Sequence, residues 1–128
     1  MNNDSINTVE PKDVTSEIAG SVNKQSNTAA VKGSKGFSVT VTLKDVTGKC
    51  YLSCTNAGAI GRWDFVAIYE GNVPSDPNSG YLGYFYVSEK NSMKMDQGWG
   101  NNYIAAYVSY DYELDKYVTL VQTPKTKS

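Results

Sequence analysis

From Phe37 onward the chain alternates, with Phe37, Val39, Val41 and Leu43 separated by Ser38, Thr40, Thr42 and Lys44. A two-residue period puts one set on a buried face and the other in water, as in a half-covered strand. Val46-Thr47-Gly48-Lys49 reads as a turn, and Cys50–Cys54 as the returning strand of a hairpin. After a glycine-bounded loop at 56–61, Trp63–Glu70 is apolar at almost every position. That is the pattern of a central strand covered on both faces, with Trp63 expected to enter the core at its start. Residues 71–80 hold Pro74 and Pro77 between Gly71 and Gly80 and are expected to form a loop. Tyr81–Ser88 reads as a further strand, Met93 and Met95 mark a short one, and 97–102 is a second glycine-rich loop. Tyr103–Tyr110 and Tyr117–Thr123 pair naturally across 111–116. Seven short strands with no helix among them predict an all-β fold, an antiparallel immunoglobulin-like β-sandwich; the strand count alone leaves a closed barrel open.

Ahead of Phe37 the pattern fades. Residues 1–36 are rich in Asn, Ser, Thr, Val and Lys and contain no aromatic side chain. Such a segment lacks the apolar mass to fold alone. It is expected to be a flexible N-terminal tail, or one that docks or is removed, before a binding domain at 37–123 and a short basic C-terminal tail at 124–128. Within it, Val14, Ile18 and Val22 repeat every four residues behind Asp13, the signature of a short capped helix. The start of the chain has neither the basic residues nor the apolar run of a secretory leader. No window approaches the ~20 apolar residues of a membrane span. The expectation is a soluble chain without a visible leader, cytoplasmic or released by a leaderless route, or one whose leader was removed.

Composition narrows the chemistry. There is no histidine, which excludes Ser-His-Asp and Cys-His nucleophile pairs and imidazole metal sites. Twelve basic against thirteen acidic side chains leave a net charge of −1, without the footprint of a nucleic-acid or anionic-membrane binder. In an extended strand Cys50 and Cys54 leave one face with Cα atoms about 13 Å apart, beyond the ~7 Å reach of a disulfide. Only a turn inside the pentapeptide could join them; they are expected to be free core thiols, and two cysteines without further ligands make a poor zinc site. No cofactor and no metal is implied.

Asp64-Phe65-Val66-Ala67-Ile68-Tyr69 resembles the Asp-Trp-Ile-Gly-Ile-aromatic strand of SKICH domains and of the N-terminal domain of purple acid phosphatases. Both are immunoglobulin-like sandwiches. The loop 73–80, the aromatic strand Tyr81–Val87 and the run Tyr103–Val108 stand where those families carry comparable segments. Phe65 and Ala67 depart from the usual Trp and Gly, and no phosphatase domain follows. The resemblance implies a fold and a binding role, and it transfers no catalytic residue.

Three features are candidate sites. Asp96-Gln97-Gly98-Trp99-Gly100-Asn101-Asn102-Tyr103 combines aromatic faces with amides and a carboxylate, the groups that stack on sugar C–H surfaces and bond hydroxyls. Its glycines let Trp99 stand out from the loop or fold back as a lid on the core. Asp76 and Asn78 offer short oxygen-bearing side chains nearby, or plain turn chemistry. Tyrosines on strands, with Tyr84, Tyr86 or Tyr107 outward, would make a surface suited to a partner. Acids Asp76, Asp96, Asp111, Glu113 and Asp115 follow no calcium-loop pattern. No spacing brings two of Asp64, Asp76, Asp96 and Asp111 together as a catalytic pair. The expectation is a non-enzymatic, lectin-like module binding a carbohydrate or glycoprotein surface through Asp96, Trp99, Asn101, Asn102 and Tyr103, assisted by Asp76 and Asn78. Homo-oligomers would supply avidity and agglutination. The alternative is a protein-interaction or toxin-component module using a tyrosine-rich sheet face.

Overall fold

The structure, a computed structural model, describes residues 16–18 and 26–127. Among them are nine strands and no helix: β1 (Ser16–Ile18), β2 (Ser26–Lys32), β3 (Ser38–Val46), β4 (Lys49–Ala57), β5 (Phe65–Glu70), β6 (Gly83–Tyr86), β7 (Ser92–Gly98), β8 (Tyr103–Asp111) and β9 (Lys116–Gln122). They form two antiparallel sheets, ordered β1-β2-β3-β4-β7 and β6-β5-β8-β9. The chain passes between sheets after β4, β6 and β7, which gives the Greek-key order of an immunoglobulin-like sandwich over β3–β9.

The strongest local pattern is realised directly. In β3 the alternating Val39, Val41 and Leu43 are buried, and in β4 Cys50, Leu52 and Cys54 meet them in register, with Val41 opposite Cys54 and Leu43 opposite Leu52. The intervening turn places Thr47 at φ 51° and Gly48 at φ 84°, and Asp45 Oδ1 accepts the Gly48 N–H at 2.8 Å. Two consecutive positive φ values are the twist-matched geometry of a two-residue hairpin. β5 is covered on both faces, as its apolar run requires. Its Val66 and Ile68 join Phe37, Tyr107, Phe85 and the β3–β4 side chains in the core between the sheets. Cys50 and Cys54 are free, buried thiols, pushed up by burial to about 11 and about 12.

The expected boundary at residue 37 falls inside the first sheet. Ser26–Lys32 pairs with β3 along its whole length and buries Asn27, Ala29 and Val31. Two of those three inward positions are a polar and a minimal side chain, so the segment carries a weak hydrophobic period. Asn27 is held by donating its amide to Pro124 O at 2.9 Å. The expected helix around Asp13–Val22 is corrected where it is described: Ser16–Ile18 is extended and pairs with Ala30–Lys32. Its other positions, like residues 1–15 and 19–25 of the expected tail, lie outside the described residues. At the other end, residues 123–126 are bound rather than trailing. Thr123 N–H donates to Ala105 O, and Thr126 is buried between Gly100 and Tyr103.

Candidate functional site

The second sheet is apolar on both faces. Outward from it point Phe65, Ala67 and Tyr69 of β5 and Ala106 and Val108 of β8, a buried cluster separate from the core. Loop 71–82 folds over part of this face, with Val73 and Tyr81 packed against the cluster and the Tyr69 hydroxyl donating to Pro77 O at 2.5 Å. Asp76 shapes the loop. Its Oδ1 accepts Asn78 N–H at 3.1 Å, and its carbonyl accepts both the N–H and the hydroxyl of Ser79. These are turn contacts of the ordinary kind, yet the Asp76 carboxylate also lies near enough to Tyr69 and Tyr117 to help raise their pKa values, behind desolvation and neighbouring phenols.

Around the cluster runs a band of rings. Phe65 is its hub, in edge contact with Tyr81, Tyr84, Tyr86 and Tyr117 at 5.7–6.4 Å between centroids. On the β6 side Trp63 follows Tyr86 at 6.2 Å. Toward β9, Tyr117 touches Tyr110 at 5.0 Å and Tyr110 touches Tyr112 at 4.9 Å. Edge-to-face geometry at these distances is the favoured one for aromatic pairs, so the rings hold one another in place. Trp63, Tyr84 and Tyr112 are 42 %, 37 % and 47 % exposed, whereas Phe65 is buried. Trp63 is therefore a surface residue and not the core residue expected; it sits in the turn before β5, under the Arg62 guanidinium at 5.1 Å. Three of the band's phenols are shifted upward. Tyr110 is pushed up to about 12, first by its hydrogen bond to the Asp115 carboxylate, and Tyr86 and Tyr117 are raised first by desolvation.

The glycine-rich loop has a different character. Trp99 packs against the core between the sheets, its N–H donates to Gly48 O at 2.9 Å, and its indole Nε1 is buried without a hydrogen-bond partner. Tyr103 also packs on the core, and its N–H is bound by Thr126 Oγ1 at 3.0 Å. Asn102 is exposed at φ 73°, with its N–H on Thr126 O and its carbonyl accepting Gly71 N–H. Asn101 is exposed beside it. Asp96 lies apart, on a groove of about 240 Å³ lined by Leu82, Met93 and Met95 where the β6 and β7 edges face each other. Of the two conformations open to Trp99, the lid on the core is the one adopted. Asp96, Trp99 and Tyr103 do not converge on one surface, while Asp76 and Asn78 belong to the loop beside the ring band.

Buried beneath β4, β5 and β8 is a polar cluster. Asp64 Oδ2 accepts the Tyr107 hydroxyl at 2.6 Å and Gly61 N–H at 2.9 Å. Tyr107 thus faces the core and not the outer surface that alternation left open to it. Burial raises the Asp64 pKa, and its bonds to Tyr107 and Gly61 only partly offset that. A Cβ on Gly61 would stand 2.5 Å from Asp64 Oδ1, so only glycine fits over this carboxylate. Asp111 closes the β8–β9 turn by accepting the N–H groups of Glu113 and Leu114. Asp64, Asp76, Asp96 and Asp111 therefore sit in four separate settings. Among the described residues no three acidic or thiol ligands gather as a metal site.

Sequence reasoning placed Tyr84 and Tyr86 outward but missed Trp63, Tyr110, Tyr112 and Tyr117 as their neighbours. The signal was present in the pairing of Tyr110 with Tyr117 across the final hairpin, which puts both on one face. No family model, no curated protein and no solved structure matches the chain.

Proposed function

We propose that the protein is a non-catalytic, lectin-like binding module that holds carbohydrate on the outer aromatic face of its second sheet. The observation that carries this reading is the band from Trp63 through Tyr86, Tyr84 and Tyr117 to Tyr110 and Tyr112, fixed by ring-on-ring contacts and exposed at both ends. Aromatic faces take the C–H surface of a pyranose, and phenol hydroxyls with carboxylates beside them at Asp76 and Asp115 bond its hydroxyls. Tyrosine suits that task because each ring has an apolar body and a polar tip. The likeness of Asp64–Tyr69 to SKICH-type strands supports the same non-enzymatic role. One such face per chain binds without cross-linking, so agglutination requires oligomers.

A glycan array probed with wild type, Trp63→Ala, Tyr84→Ser and Trp99→Phe tests the assignment. Hits lost in the first two variants and retained in the third are expected. Hits that survive Trp63→Ala and Tyr84→Ser but vanish in Trp99→Phe return the site to the glycine-rich loop. A protein ligand on the same face is the competing reading, favoured by exposed Leu114 beside Tyr112 at the hairpin tip. It gains if a blank array accompanies a single-protein complex abolished by Tyr84→Ser.

A further inference from the structure

Resting on that reading, we propose that the ring band takes an extended, uncharged glycan chain, bound internally over about three or four linked sugars, and not a single terminal sugar. The band crosses the whole second sheet, from Tyr86 on β6 past Phe65 on β5 to Tyr117 on β9. Three interstrand spacings of ~4.8 Å make a backbone width of ~14 Å, the length of roughly three linked pyranoses. Trp63 lies beyond Tyr86 at one end and Tyr112 beyond Tyr110 at the other. Both are the more exposed members of their pairs, which adds room for a further unit.

The rings most open to solvent along this path are Trp63, Tyr84 and Tyr112, with Phe65 buried between them. Among the described residues, a depression of about 600 Å³ lies between Cys54–Asn56 and Val87–Asn91, and the groove between the β6 and β7 edges is another. Neither is lined by a ring of the band. A terminal sugar recognised alone needs a pocket that buries most of its surface. Exposed rings spaced along a face each cover one side of a sugar, so affinity accumulates with the number of units stacked. Successive rings from Trp63 to Tyr112 are turned by 60–85° to one another, presenting faces and edges in alternation. A flexible chain of sugars can follow that relief, whereas a flat rigid ligand cannot.

Charge selects the chain. Arg62 over Trp63 and Lys116 at the hairpin stand against Asp76 near Tyr117, Asp115 on Tyr110 and Glu113 in the same hairpin. The acids are in excess along the band, which disfavours uronate or sulfate polymers.

Calorimetric titration of the full chain with neutral oligomers of glucose, mannose and N-acetylglucosamine, one to six units long, tests this, with oligogalacturonates of the same lengths as the anionic comparison. In at least one neutral series affinity is expected to climb with length and level off at three to five units, with oligogalacturonates weaker. Trp63→Ala and Tyr112→Ala, both at exposed positions, are each expected to weaken hexamer binding about tenfold, at unchanged thermal midpoints. Full affinity already reached with a monosaccharide overturns the extended site while leaving carbohydrate binding in place. Tighter binding of the anionic series overturns its neutrality. No heat at any length in any series, together with no retention on immobilised polymers of the same sugars, overturns the carbohydrate reading itself.

Discussion

Each of the two tryptophans sits at an aromatic-rich corner of the molecule, and the corners are built in opposite ways. Around Trp99 the backbone is saturated: Trp99 N–H is taken by Gly48, Tyr103 N–H by Thr126 Oγ1, Asn102 N–H by Thr126 O, and the Thr126 hydroxyl reaches Gly100 O at 2.6 Å. The indole closes the end of the core. Around Trp63 the contacts are between rings, and the faces left over point to solvent. Backbone groups that spend their hydrogen bonds on the chain have none left for a ligand, which leaves that corner the exposed Asn101 and Asn102 side chains. Rings that steady one another at their edges keep a surface free. A second contrast repeats the first. The Tyr107 hydroxyl meets Asp64 inside the core, whereas the Tyr110 hydroxyl meets Asp115 on the surface.

If that contrast is correct, Trp99→Ala is the most damaging single change. Truncating a largely packed indole removes about 3 kcal/mol of stability, read by urea unfolding, with glycan binding intact wherever the variant is folded. Loss of binding at full stability would erase the distinction. Tyr107→Phe follows, at about 2 kcal/mol, because it strips a charge-assisted bond from a buried carboxylate. The same carboxylate gives a pH signature. Burial lifts the folded pKa of Asp64 above its ordinary value near 3.8, so the folded state holds the proton more tightly than the unfolded chain. Stability from this group is full below that value and is lost as pH rises through the lifted one. Asp64→Asn is expected to flatten the slope, and an unchanged pH profile of unfolding would contradict the assignment.

Much of the fold was legible because its chemistry is local. Phe37–Leu43 and the β3–β4 turn announce themselves by period and by Thr47-Gly48, and the crowding of apolar residues at 65–69 marks a central strand. β2 was hidden because its inward positions, Asn27 and Ala29, matter through Pro124 O and the strands around them, which no local window contains. Trp63 was misplaced, and Trp99 left between two conformations, for a related reason. Flanking glycines make a side chain free to leave a loop but equally free to fold inward, and Trp99 is held by partners remote in sequence, Gly48 O on its N–H and the core on its indole. Trp63 precedes a fully buried strand, yet the burial of Asp64 immediately after it sends the indole to the other side of the chain.

Smaller effects sharpen the comparison further. Thr126→Val is expected to lower stability by roughly 1–2 kcal/mol by removing the partners of Tyr103 N–H and Gly100 O, again without touching ligand affinity. Smallest in stability is Trp63→Ala, within about 0.5 kcal/mol for a change at an exposed turn. Its effect belongs to binding, and a destabilisation as large as that of Trp99→Ala would place the indole in a structural role instead.

The most direct test follows the fluorescence of each tryptophan alone. In Trp99→Phe only Trp63 emits, and in Trp63→Phe only Trp99. Titrated with the neutral hexasaccharide that binds best, Trp63 is expected to shift in emission and become shielded from acrylamide quenching, while Trp99 stays unchanged. A response from Trp99 with none from Trp63 would contradict the account.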